Sequence, residues 1–223
     1  MSDTATLTKD DAEAFRERCR EFLSEHARPG ARRDLEAARS FQAALADAGL
    51  AGLTYDTEFG GAGLTLEHER IFRQVAQEFP AMTGELVISH GMCLPVLNEF
   101  GTDEQKRAFL PRLISGEWSF CLGLAEPSGG ADLAGLQCTA IKDGDDWVIS
   151  GTKAWISAGT HAGVVIAMVR TDTPEARRRS KGISAFILTP DLPGFRVGKK
   201  EDKMGLRASP TVQLTFDGMR EIG

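Results

Sequence analysis

The segment Glu126-Pro127-Ser128-Gly129-Gly130-Ala131-Asp132 follows directly on the apolar run Phe120 to Ala125, and it combines two carboxylates, a hydroxyl and two adjacent glycines. Small residues there let main-chain amides approach a ligand, and glycine can take the positive φ values that aim several amides at one anion. A plain tight turn uses the same residues, so turn and phosphate cradle both stay open. Further along, Gly151-Thr152-Lys153-Ala154-Trp155-Ile156-Ser157 sets an indole and a hydroxyl two residues apart. On a regular strand that spacing puts both on one face. An indole there can stack on a flat ring while the hydroxyl bonds to it; a core tryptophan beside a polar strand end is the competing reading. Glu126 and Asp132 are the tempting proton acceptors, yet Glu126 is expected to hold the turn and Asp132 to cap local amides.

The other reactive side chains form no constellation. His26, His68, His90 and His161 are scattered without ligand spacing, so no metal site is expected. Cys19, Cys93, Cys121 and Cys138 lack metal or redox spacing and read as free thiols of a reducing cytosol.

The elements that must position these residues change character near residue 118. Before it, apolar residues recur at helical spacing. Thr8 caps a helix carrying Phe15, Cys19, Phe22 and Leu23 inward and ending before Pro29; Leu35, Ala38, Phe41 and Leu45 make a second, closed by Gly49. Tyr55 to Gly63 is a glycine-rich loop. Thr65 opens a third helix with Ile71, Phe72, Val75 and Phe79 inward, and Leu86 to Phe100 forms a fourth. Thr102 to Gln105 has the spacing of a capping box for a fifth. After Trp118 the period falls to two. Gln137 to Ile141 and Trp147 to Ile149 flank a hairpin turn at Asp143 to Asp146, and Ser150-Gly151-Thr152 turns the chain again into Ala154 to Ile156. Val164 to Val169 and Ile183 to Leu188 are buried strands, and Thr211 to Asp217 alternates. This is an α+β chain: a helical domain over 1–117 followed by a small β-barrel-like domain over 118–223, incomplete at its C-terminal end.

At 223 residues, with 42% hydrophobic and 26% charged content, the composition is that of an ordinary globular protein. The 26 basic against 32 acidic residues give a net charge of −6, which argues against nucleic acid as a partner. Arg177-Arg178-Arg179 with Lys181 reads as a solvated loop tip. No apolar run approaches the roughly 20 residues that span a bilayer, and the polar start, Met1 to Lys9, is no signal peptide. The expected location is the cytoplasm, with no membrane partner.

Several segments resemble the acyl-CoA dehydrogenase family. Leu124 to Asp132 is similar to its first signature and Gly151 to Gly159 to its second. Phe59 to Gly63, Gly101 to Lys106, Phe109-Leu110-Pro111 and Lys203 to Thr211 match further stretches in the same order. The resemblance implies FAD as cofactor. Leu122, Leu124 and Ala125 would border the flavin ring with Gly130 and Ala131 nearby, and Trp155, Ile156 and Ser157 would lie on its other flank. Ala131 and His90 would approach the substrate, an acyl-CoA or acyl-carrier-protein thioester, which undergoes α,β-dehydrogenation. Electrons would leave to an electron-transferring flavoprotein, in a homo- or hetero-oligomer. The family keeps its catalytic carboxylate in a second helical domain, so the base is expected outside this chain. Ala125 and Ala131 replace family hydroxyls. Two further readings follow on the same scaffold: a flavin-dependent oxidase or N-hydroxylase, and a non-catalytic interaction subunit of a heteromeric complex.

Overall fold

The computed structural model describes residues 7–27, 35–80, 82–172 and 179–222. Met1 to Thr6, Pro29 and the basic pair Arg177-Arg178 lie outside them. The chain divides into two compact units, Met1–Trp118 and Ser119–Gly223.

The first unit is helical. In α1 (Lys9–His26) the Thr8 side chain accepts a hydrogen bond from the Asp11 amide, and Phe15, Cys19 and Leu23 are buried. The helix α2 (Leu35–Asp47) buries Ala38, Phe41 and Leu45. It stops where Gly49, at φ 63°, lets the Leu50 amide reach back to the Leu45 carbonyl. Within the glycine-rich loop, Thr57–Phe59 forms one turn of 3-10 helix. The helix α3 (Leu66–Ala76) lies against α1. It ends before Phe79, which sits half-buried in the following turn. In α5 (Asp103–Ile114) the capping box forms as expected, Thr102 accepting from the Gln105 amide and Gln105 from the Thr102 amide.

The expected single helix over Leu86 to Phe100 needs correction. A 3-10 turn (Gly84–Leu86) leads into a π-helical stretch (Ser89–Cys93) before α4 (Leu94–Phe100). Pro95 supplies the reason. Its ring clashes with the carbonyl four residues back and it has no N–H, so the helix widens just ahead of it.

The second unit is one seven-stranded sheet curled into a half-barrel. Its strands are β1 (Phe120–Gly123), β2 (Thr139–Asp143), β3 (Asp146–Ser157), β4 (Val164–Arg170), β5 (Ile183–Leu188), β6 (Phe195–Val197) and β7 (Thr211–Ile222). The order β1-β4-β2-β3-β7-β6 has β5 paired to β4 in addition. Antiparallel β5 occupies one edge of β4 from Val165 to Arg170. The other edge is shared by two parallel strands: β1 pairs with Val164 to Ala167, and β2 meets β4 at Arg170. The chain from Leu124 to Cys138 leaves the sheet between those two stations. The core is formed by Cys121, Ile149, Val165, Ala167, Leu214 and Phe216 among others.

Three sequence expectations fail here. Ile183 to Leu188 forms a strand but not a buried one: β5 lies at the sheet's edge against β4, with Leu188 buried, Ala185 exposed and the rest half-buried. Ser150 to Thr152 is not a turn, because β3 runs unbroken for 12 residues, with the irregularity absorbed by bulges against β7. The strand expected from Gln137 starts only at Thr139, since the Gln137 and Cys138 amides donate to the Glu126 carboxylate instead of a neighbouring strand.

Candidate functional site

Lys153 is the centre of the β unit's polar chemistry. Counting inward positions from Ile149 along β3, period two puts Gly151 and Lys153 on the buried face, and Lys153 is 0% exposed. A buried ammonium needs partners on every proton. Its Nζ donates to Glu126 Oε1 at 2.8 Å, to the Met168 carbonyl at 2.5 Å and to the Leu124 carbonyl at 3.3 Å. Glu126, 3% exposed, also accepts from the Gln137 amide at 2.6 Å and the Cys138 amide at 3.0 Å. Arg170 ties the same excursion from below, donating to the Leu136 carbonyl at 2.9 Å and the Ala134 carbonyl at 2.5 Å while pairing with Asp172.

This arrangement decides the role of Glu126. Burial raises its pKa, but the Lys153 ammonium and the two amides outweigh burial and hold it below the ordinary glutamate value of 4.5. An ionised carboxylate already holding three donors does not abstract a substrate proton. Because the folded pKa is depressed, the stability Glu126 contributes is complete above its unfolded value and is lost as pH falls through the folded one. Urea unfolding of the β unit is therefore expected to show a stability loss on acidification below pH 4.5. Most of that loss should vanish in Glu126→Gln. An unchanged acid profile in that variant would contradict the assignment.

The glycine-rich segment forms a tight turn. Glu126 and Gly129 exchange both backbone hydrogen bonds at 3.0 Å around Pro127-Ser128, so the Gly129 amide is committed within the turn. Asp132 is exposed at the start of a one-turn 3-10 helix (Leu133–Gly135) and makes no side-chain capping bond, against expectation. Gly130 lies beside Ala125, and Ala131 is exposed. A β-carbon at Gly129 would meet nothing within 4 Å, so packing within the chain does not require glycine there.

At the other segment, Lys153 pairs with Leu214 and Ile156 with Val212, leaving Ala154 and Trp155 opposite the single residue Gln213. Trp155 takes φ 62° in this bulge, a left-handed conformation unusual for a bulky residue. Period-two alternation therefore does not carry from Trp155 to Ser157: Lys153 and Ile156, three apart, share the buried face. Ile156 is 2% exposed and can offer a ligand only its backbone. Trp155 is 63% exposed, which excludes the core-tryptophan reading within this chain. Ser157 is half-buried opposite Thr211. The Ala154 amide donates to the Ala125 carbonyl at 2.9 Å, so the two signature segments are direct neighbours. Leu122 and Leu124 are half-buried at the end of β1 and just beyond it.

His90 belongs to the helical unit. It lines a cavity of about 360 Å3 with Leu45, Leu53, Tyr55, Phe72 and Leu94. Its Nε2 lies 2.9 Å from the Leu113 carbonyl, so that nitrogen carries the proton. Nδ1 is buried and makes no hydrogen bond of ordinary geometry among the described residues. Burial lowers the His90 pKa against the opposing influence of the Leu113 and Leu86 carbonyls, which keeps the ring neutral.

All four cysteines are free and buried, and burial pushes Cys19 to about 11 and Cys93 and Cys138 to about 12. These three are inert thiols at neutral pH. No helix among the described residues is long and apolar enough to cross a membrane.

A helical unit followed by a half-barrel whose two signature segments meet side by side is the architecture of the acyl-CoA dehydrogenases, and the chain belongs to that family. Residues 9–117 match the model of the acyl-CoA dehydrogenase N-terminal domain and residues 121–219 that of the middle domain. Isovaleryl-CoA dehydrogenase of Pongo abelii is 33% identical over 227 residues, covering 97% of this chain and 52% of the relative. The short-chain specific acyl-CoA dehydrogenase of Bos taurus is 36% identical over 211 residues, covering 92% and 50%. The crystal structure of a glutaryl-CoA dehydrogenase from Mycobacterium smegmatis in complex with FADH2 is similar at a TM-score of 0.72 and 28% identity, over 98% of this chain and 55% of that one. The chain thus spans about half the length of the curated relatives it matches.

Lys153 and its partnership with Glu126 carried no role in the sequence reading. The signal was present: a lysine at an inward position of a strand demands a buried carboxylate.

Proposed function

We propose that this chain supplies part of the FAD and acyl site for α,β-dehydrogenation of an acyl thioester. One observation carries the reading: an exposed, left-handed Trp155 is held beside the Leu124–Ala125 segment by the Ala154 to Ala125 hydrogen bond. A large indole left open to solvent at a bulge fits a flat ring lying over it. The open space at Gly129 leaves room for such a group. The relative crystallised with FADH2 supports the same cofactor.

In this reading Leu122, Leu124, Ala125, Gly130 and Ala131 border one side of the ring, and Trp155, the Ile156 backbone and Ser157 the other. Ser157 supplies a hydroxyl for a ring heteroatom. FAD, when bound, accepts the hydride leaving the β-carbon of the acyl group. Glu126 is consumed by its own partners and does not take the α proton; that role falls to a carboxylate of a second helical domain, as the family resemblance implies. On the acyl side this reading keeps Ala131 from the β unit and His90 from the helical unit, where His90 lines a cavity with both apolar (Leu45, Leu94) and charged (Glu69, Arg73) walls. Electrons pass on to an electron-transferring flavoprotein, the assembly is oligomeric, and four buried thiols suit the cytosol. The methyl groups of Ala125 and Ala131 favour a second reading, an interaction subunit that keeps the fold without the chemistry.

Titration with FAD separates these readings. Residues 1–223 alone should bind it weakly, and addition of a helical segment or partner chain carrying the base should give a yellow complex bleached by acyl-CoA in the absence of air. A complex that stays colourless with excess FAD and every partner present would leave the interaction subunit standing. Rapid reoxidation by air would point to the oxidase.

A further inference from the structure

The Leu124 to Cys138 excursion has a built neck. β1 and β2 lie end to end on one edge of β4, and the chain departs between them, at the level of Met168. At that gap the Met168 and Leu124 carbonyls face no neighbouring strand, and the Lys153 ammonium enters from β3 to bond both. The third proton goes to Glu126, at the exit of the excursion, and the Glu126 carboxylate receives the amides of Gln137 and Cys138, at its return. Exit, return and two strands are therefore held by one buried ion pair, while Pro127 to Leu133 and Gly135 are exposed.

We propose that Lys153 is a positioning residue: through Glu126 it closes the neck of the excursion and thereby fixes the Leu124–Ala131 wall against the Trp155 bulge. Lys153 needs no contact with a ligand to do this. It sits two residues before Trp155, so the same side chain that closes the neck anchors the start of the bulge. The consequence for flavin rests on the function proposed above; the closure of the neck does not.

Hydrogen exchange on the full chain, comparing the parent with Lys153→Met and with Lys153→Met/Glu126→Gln, tests the proposal. The double variant replaces the pair by neutral groups of similar size and leaves no unpaired buried charge, so the sheet should stay folded even if the single variant does not. In the double variant the Gln137 and Cys138 amides should exchange at least about tenfold faster, the loss expected for hydrogen bonds to charged groups. The β3 and β7 amides at Ile149 and Leu214 should keep their protection. In the flavin-binding assembly, FAD affinity should fall by a similar factor with no loss of thermal stability. Parent-like protection at Gln137 and Cys138 in the double variant would overturn the proposal. So would a uniform loss across the sheet, which marks a merely structural pair. If the parent assembly binds no flavin, the functional reading fails while the exchange pattern still decides the neck.

Discussion

Replacing Gly151 by alanine is expected to destabilise the β unit by about 3 kcal/mol, the sum of an incompatible backbone and an overpacked contact. Gly151 sits at φ 140°, where a side chain is strained whatever the space. An added β-carbon would lie 2.3 Å from Cys138 Sγ and 2.8 Å from Cys138 Cα. The sulfur can be removed, but the backbone of Cys138 cannot move, because its amide is bonded to Glu126 and its carbonyl accepts from the Arg170 amide. Gly151→Ala/Cys138→Ala should therefore recover only about 1 kcal/mol, the two changes coupling through one contact. Urea unfolding measures both. A single variant within about 1 kcal/mol of the parent would mean that β3 does not pass this close to the return of the excursion.

Trp155→Gly should separate folding from ligand binding. A left-handed tryptophan costs about 1 kcal/mol, which glycine relieves, and glycine adds a similar entropy loss on folding. Stability is expected to change by less than about 1 kcal/mol. Covering about 100 Å2 of exposed indole with a flat ring is worth about 2.5 kcal/mol. FAD affinity of the complete assembly should thus fall by roughly sixtyfold. Thermal unfolding and flavin fluorescence titration read the two quantities. Loss of stability with unchanged affinity would return Trp155 to a structural role.

Much of the fold follows from local patterns. Thr8, Gly49 and Thr102 mark helix ends by capping chemistry that acts within a few residues, and all three do so here. The alternation in β7 likewise reports which side meets the core. Features that depend on distant residues escaped. The late start of β2 at Thr139 depends on Glu126, and the run of β3 past Cys138 depends on position 151 carrying no side chain. The site was legible as two motifs, but their adjacency rests on the Ala154 to Ala125 bond and the bulge at Trp155. No periodicity argument contains a bulge. Pro95 was visible, yet whether a proline kinks, ends or widens a helix is settled by the packing around it.

The pairing of β3 with β7 sets a minimum length for handling this protein. β3 is complete at Ser157, but the strand that covers one of its edges begins at Thr211. A chain ending anywhere between them would carry a 12-residue ribbon with a row of bare amides and carbonyls. Nascent chains and proteolytic fragments of that span are exposed to edge-to-edge aggregation, and expression boundaries drawn before residue 211 will yield precipitate in place of a smaller domain.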